Sequence, residues 1–228
     1  HEEDLEFAAG LLRDLPAPIL AIPGNHDVGS HPQTMPRQPV NEARLARFRR
    51  IVGPDRWTHD LPGWRLIGIN SEIMGTGLTS EAEQADYIAD AVAGAADRRI
   101  AVFTHKPFFV TAPEDPTFDY WSVPPSARHT LSPLMDHGGL RLVASGHLHL
   151  LHTQLREAVR FAWAPAMSFV VEPEEQPGLP GARLTGALLH RLRHDHVETD
   201  LLAPPQMIVD WLGPLRALTY PRQAAAAE

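Results

Sequence analysis

Three short apolar runs in this chain each end on a polar cluster, and that arrangement restricts the fold more than any other feature of the sequence. Residues 17–22 (APILAI) lead into Gly24-Asn25-His26-Asp27. Residues 98–105 (RRIAVFTH) end on Thr104-His105. Residues 140–149 (LRLVASGHLH) end on Gly146-His147-Leu148-His149. Apolar runs of this length, bounded by turn residues, read as buried strands. Each follows a helical pattern. Residues 2–15 place Leu5, Ala8, Ala9, Leu11, Leu12 and Leu15 on one face after an acidic first turn. Residues 79–95 form a second such pattern, with Thr79 or Ser80 as its cap, and residues 125–139 a third that ends in glycines. Helix and strand in alternation imply an α/β domain, and in such sheets the loops beyond the strand C-termini gather on one edge.

The intervening segments fit that frame. Residues 29–40 hold three prolines and no periodicity, so they form a loop. Residues 41–53 read as a helix capped by Asn41 and stopped by Gly53. Residues 57–70 read as a hairpin turning at Leu61-Pro62-Gly63. Residues 107–125 are a long loop with five prolines, in which 114–121 (EDPTFDYW) suits equally a cap over a substrate and a hydrophobic flap. Residues 151–202 contain several β segments. The reading is one domain over 1–203 and a Pro/Ala-rich tail over 204–228.

Composition narrows the chemistry. The net charge of −8 argues against a nucleic-acid polymer as partner, and no run is long and apolar enough to cross a membrane. With no export signal visible, the expected location is cytoplasmic. There is no cysteine, so any metal site must use His, Asp, Glu, Asn or water. The thirteen histidines are many for this length. Imidazoles and an amide oxygen converging from three strand ends suit a divalent metal. Two such ions roughly 3.5–4 Å apart clamp the attacking and leaving oxygens of a phosphoryl displacement. On this reading Asn25 binds metal, His26 handles a proton, Asp27 orients His26, and Gly146 lets the His147–His149 turn bend sharply. Each cluster alone reads as well as a polar turn; the three together favour the metal. Lys106, the only lysine, is taken as a solvated loop residue, His152 as facing solvent, and His194-Asp195-His196 as a solvated hairpin.

GNHD, THKP and SGHLH, in this order and separated by α/β segments, resemble the calcineurin-like metallophosphoesterase superfamily. The resemblance spans about residues 2–200. It implies a two-sheet β-sandwich flanked by helices, and a site with two divalent metal ions (Mn, Fe or Zn). It assigns Asn25, His105 and His147 to one ion, His149 to the other, and His26 to the acid that contacts the phosphate. It implies hydrolysis of a phosphomonoester or phosphodiester, on a small molecule or a protein, by metal-activated water. The family's Asp-x-His and Gly-Asp motifs, which precede its Gly-Asn-His motif, have no counterpart between His1 and Gly24. The chain therefore reads as a member lacking its first two strands. The alternative function is a truncated or degenerate non-catalytic domain that keeps half a metal site. The motifs leave the oligomeric state open.

Overall fold

The structure, a computed structural model, describes residues 2–219. Its centre is a six-stranded sheet of β1 (Trp57–Leu61), β2 (Trp64–Gly68), β3 (Arg99–Thr104), β4 (Leu140–Ser145), β5 (His152–Arg156) and β6 (Val159–Trp163), in the order β1-β2-β3-β4-β6-β5. The four inner strands run parallel, and the two edge strands are antiparallel hairpin partners of β2 and β6. Inner strands are covered on both faces, which is why β3 and β4 read as unbroken apolar runs rather than alternating ones.

Helices cover one face. α4 (Thr79–Ala93) and a broken segment made of a 3₁₀ turn, Pro125–Leu131, and α5 (Ser132–Met135) pack Ile88, Leu131 and Leu134 onto Ile67, Ile100, Val102 and Val143. The opposite face carries the hairpin of β8 (Ala187–Leu192) and β9 (Val197–Leu202), whose Leu188, Leu192 and Val197 meet Trp64, Ala101, Leu142 and Ala162. The expected pair of sheets is thus six strands stacked against two. A separate cluster joins α1 (Glu2–Arg13) to α3 (Glu42–Ile51) through Leu5, Ala9, Leu45 and Phe48, with Val28 of the single-turn α2 (Asn25–Val28) at its edge. β7 (Phe169–Val170) pairs in parallel with β10 (Asp210–Trp211), which leads into α6 (Leu212–Thr219). The stretch 204–219 is therefore partly ordered against the domain; residues 220–228 of the proposed tail, and His1, lie outside the described residues.

Several expectations are corrected here. The run 17–22 is not a strand. Residues 18–24 are irregular, the Trp57 indole N–H donates to the Ala21 carbonyl at 2.8 Å, and Ile19 and Leu20 stay 44% and 43% exposed. A strand exists only as one side of a hydrogen-bonded ladder, and among the described residues this segment is in none. The helix expected over 125–139 breaks at Pro133, which lacks the N–H that a continuous helix would need there. α4 begins after Leu78 without a side-chain cap, because the Ser80 hydroxyl donates to Glu42 and Glu81 instead accepts the Gly75 and Gly77 N–H groups. Asn41 caps α3 as expected, accepting the Arg44 N–H at 2.9 Å.

Candidate active site

The three polar clusters do meet at one sheet edge. α2 follows the irregular segment as one helical turn capped by Gly24. Gly24 has φ −98° and ψ 172°, a conformation open to any residue, so its lack of a side chain matters for space. A Cβ there would stand 2.9 Å from His105 Cε1. The turn is fixed from below: the Asp27 carboxylate accepts the Gly24 N–H at 2.7 Å, Arg47 donates to the Asp27 carbonyl at 2.9 Å, and Gln38 to the His26 carbonyl at 3.0 Å. Asp27 thus closes its own turn, while its charge also favours a proton on neighbouring His26.

β3 ends at Thr104 and hands on His105, whose carbonyl accepts the Gly146 N–H at 3.0 Å and so locks the second cluster to the third. Lys106 is not solvated. It is 2% exposed, and its ammonium donates to the Ser30 hydroxyl at 2.8 Å, lies 3.5 Å from the Glu72 carboxylate and sits 5.1 Å over the Tyr120 ring. Glu72 is 1% exposed. This buried pair ties the loops after β2 and β3 to Ser30, beyond α2.

The turn beyond β4 differs from expectation in its hinge. The left-handed conformations fall on His147 (φ 66°) and His149 (φ 54°), and not on Gly146. Fully buried Leu148 anchors the turn between them, and Gln176 donates to the Leu148 carbonyl at 2.7 Å. His152 is only half-buried and stacks 4.6 Å from Trp163, and His194–His196 form the exposed β8–β9 turn.

Three heteroatoms converge from the three clusters. Asn25 Oδ1 is 2.8 Å from His105 Nε2, which is 3.1 Å from His147 Nδ1. The other ends of these groups are held. His147 Nε2 meets the Tyr120 carbonyl at 3.0 Å, and the Asn25 amide N–H donates to the Tyr120 hydroxyl at 2.6 Å. His149 Nδ1 meets the Phe169 carbonyl at 2.8 Å, which assigns its proton to Nδ1 and leaves Nε2 as a lone-pair donor. Burial keeps these rings neutral: it lowers His105 to about 3, with a smaller opposing pull from Asp27, and holds His147 well below the usual histidine range. Burial also lowers His149 and His26, and at His26 the Asp27 charge partly offsets it. Neutral imidazoles and an amide carbonyl are the donor set that Mn, Fe or Zn accepts. Ligands on a tetrahedral ion lie about 3.3 Å apart given metal–nitrogen bonds near 2.0–2.1 Å, so the 2.8 and 3.1 Å spacings about His105 would open slightly to hold one ion. A second ion has less to hold it. Among the described residues no group of three or more His, Asp or Glu side chains is placed to bind a metal. Of the imidazoles assigned to ligands, only His149 remains.

The convergent atoms line a cavity of about 420 Å³, and exposed His26 lines it too. Tyr120, Trp121, Val171, Leu212 and Arg216, the last paired with Glu175, also line it. Tyr120, Lys106 and Glu72 carry much of this construction; the sequence offered Tyr120 only within 114–121, as readily a flap as a substrate cap, Lys106 as a solvated loop residue, and Glu72 not at all. The only signal for Tyr120 was an aromatic pair in a proline-rich loop, and Gln176 had none.

An α/β sheet whose loops after β3 and β4 meet the α2 turn, with an Asn-His-His donor set where they join, is consistent with a phosphoesterase-type scaffold. The chain belongs to the calcineurin-like phosphoesterase family, whose profile matches residues 2–151. It is similar to the serine/threonine-protein phosphatase CPPED1 of Bos taurus, 28% identical over 157 residues that cover 65% of this chain and 47% of that protein. The Homo sapiens CPPED1 is 27% identical over 142 residues, covering 60% of this chain and 43% of that protein. The chain thus spans under half the length of these relatives. Among solved structures it is similar to the phosphopantetheinyl hydrolase PptH of Mycobacterium tuberculosis, with a TM-score of 0.44, 15% identity, and coverage of 90% of this chain and 82% of that one.

Proposed function

We propose that this chain is a metal-dependent hydrolase of phosphoesters. The observation that supports it is the convergence of Asn25 Oδ1, His105 Nε2 and His147 Nδ1 on the wall of an open cavity. A divalent ion held by these three groups would supply Lewis-acid polarisation of the phosphoryl oxygens and a water activated at neutral pH. His149 is the remaining imidazole assigned to a second ion. The chain's own residues supply the rest. His26, which lines the cavity, would donate a proton to the departing oxygen, and the charge of a bound phosphoester would add to that of Asp27 in drawing a proton onto it. Burial of His105 and His147 excludes the protonated forms that would repel a cation. The cavity admits a small-molecule phosphomonoester or phosphodiester. The relatives named serine/threonine-protein phosphatases add a phosphoserine or phosphothreonine peptide to the substrates worth assaying. The family makes a phosphatase or phosphodiesterase the reading to test. No described helix is long and apolar enough to cross a membrane.

A second reading has its own support. The cluster lacks the carboxylates that would complete a two-metal site among the described residues, which suits a non-catalytic domain with a half site. Elemental analysis after Mn or Zn loading, together with hydrolysis of an aryl phosphomonoester and an aryl phosphodiester, separates the two. Bound metal and turnover, both lost in His147→Ala, support the enzyme. Weak or no metal and no turnover support the half site.

A further inference from the structure

Tyr120, in the 107–124 loop, touches Asn25, His147 and Lys106, the residue that follows His105. Its hydroxyl accepts an N–H of the Asn25 amide at 2.6 Å, its ring lies 5.1 Å from the Lys106 ammonium, and its carbonyl meets His147 Nε2 at 3.0 Å. Its ring also packs edge-on against His147, with centroids 4.7 Å apart. The Asn25 contact has a particular consequence. A side-chain amide has one oxygen and one nitrogen of nearly equal size, and only the oxygen can ligate a cation. Turned one way, Asn25 offers Oδ1 to the face shared by His105 and His147. Turned the other way, it offers an NH₂ that repels a cation. The hydroxyl can donate as well as accept; here it accepts from the nitrogen and so holds the amide in the first orientation.

We propose that Tyr120 is a positioning residue whose hydroxyl fixes the orientation of the Asn25 amide and thereby aims Oδ1 at the His105–His147 face. This rests on the metal-dependent reading above for its purpose, though not for its geometry. The backbone contact to His147 and the ring over Lys106 belong to parts of Tyr120 that phenylalanine retains. Tyr120→Phe therefore removes the hydroxyl's contact with Asn25 and keeps these two.

Two measurements test this. In the metal-free protein, the Asn25 side-chain NH₂ resonances, assigned by their loss in Asn25→Asp, report the amide directly. Tyr120→Phe is expected to shift them and to speed their exchange with water, while thermal melting confirms the fold. Unchanged resonances and exchange would overturn the proposal whether or not the protein binds metal. In Mn or Zn titrations, Tyr120→Phe is expected to weaken affinity ~10-fold, at the lower end of what orienting partners of metal ligands contribute. The same change made on Asn25→Asp should cost under ~2-fold, since a carboxylate presents an oxygen in either orientation. Equal losses in both backgrounds would overturn the orienting role. Wild-type protein that binds no metal would refute the proposed function and leave the NH₂ measurement to decide the role of Tyr120.

Discussion

The buried Lys106–Glu72 pair allows a sharp test of what holds the site loops together. Both side chains are almost fully excluded from water, and Glu72 Oε2 has no hydrogen-bond partner, so the ammonium 3.5 Å away is its main compensation. Burial already pushes the Glu72 carboxyl up, with Lys106 the largest influence pulling it down. Lys106→Met fills similar space and removes that compensation. Breaking a buried pair from one side costs ~3–5 kcal/mol. At about 2–4 °C per kcal/mol for a chain of this length, melting should fall by roughly 6–20 °C. Replacing both partners, Lys106→Met with Glu72→Leu, removes the uncompensated charge and should recover most of the loss. The penalty of the single variant should also shrink toward acid pH. Raising a carboxyl's folded pKa gives a stability term that is present below its unfolded value and lost as pH rises through the folded one. The single variant therefore closes on wild type as pH falls and diverges as pH rises. Circular-dichroism melts of the three variants at pH 5, 6 and 7.5, each against wild type, provide the measurement. A double variant as unstable as the single one, or a pH-independent difference, would refute the electrostatic account and leave only packing.

Other expectations follow from the same geometry. Gly24→Ala has an allowed backbone, so its effect comes from the 2.9 Å approach to His105; melting should change by no more than a few degrees while turnover falls on the order of 10-fold or more, because small displacements of reacting groups are costly, and unchanged kinetics would show that the His105 ring is not confined. Burial lowers His190 to about 4, with Arg160 adding to it, so its contribution to stability is present above pH 6.5 and is lost as pH falls toward 4. Urea titrations of metal-free protein should show His190→Gln losing stability about 1.4 kcal/mol per pH unit less steeply than wild type between pH 6 and 4.5; parallel losses would sink the idea. Phe7, Leu11, Leu15, Ile19 and Leu20 are all exposed on α1 and the segment after it, so sedimentation of these 228 residues should show self-association that charged substitutions at Phe7 and Leu11 relieve, and a clean monomer would count against it.

Much of this was legible in the sequence because one signal was enough for each part. The runs ending at His105 and His149 are apolar on consecutive residues, as strands buried on both faces must be, and β3 and β4 lie where those runs do. Motif order then brought Asn25, His105 and His147 together, as the distances show. The run 17–22 carries the same signal and is not a strand, because hydrophobicity records burial and extension but not whether a ladder partner exists. Lys106 was misread for a related reason. A lone lysine in a loop looks solvated until its counter-charge is known, and Glu72 lies 34 residues earlier in a different loop. Tyr120 was hidden because a proline-rich loop has no period from which to infer a facing side. Gly146 seemed the obvious hinge, yet the backbone placed the strain on the two histidines.

That last placement bears on how such a site ages. A left-handed conformation costs a non-glycine residue roughly 1–2 kcal/mol relative to glycine, and this turn carries two such residues within three positions. Drift or selection for robustness alone would favour glycine at 147 and 149, and each replacement would relieve the backbone while deleting an imidazole. The presence of histidine at both positions is thus a local record of opposed demands. A stability-guided redesign of this protein would erode its chemistry at this turn first.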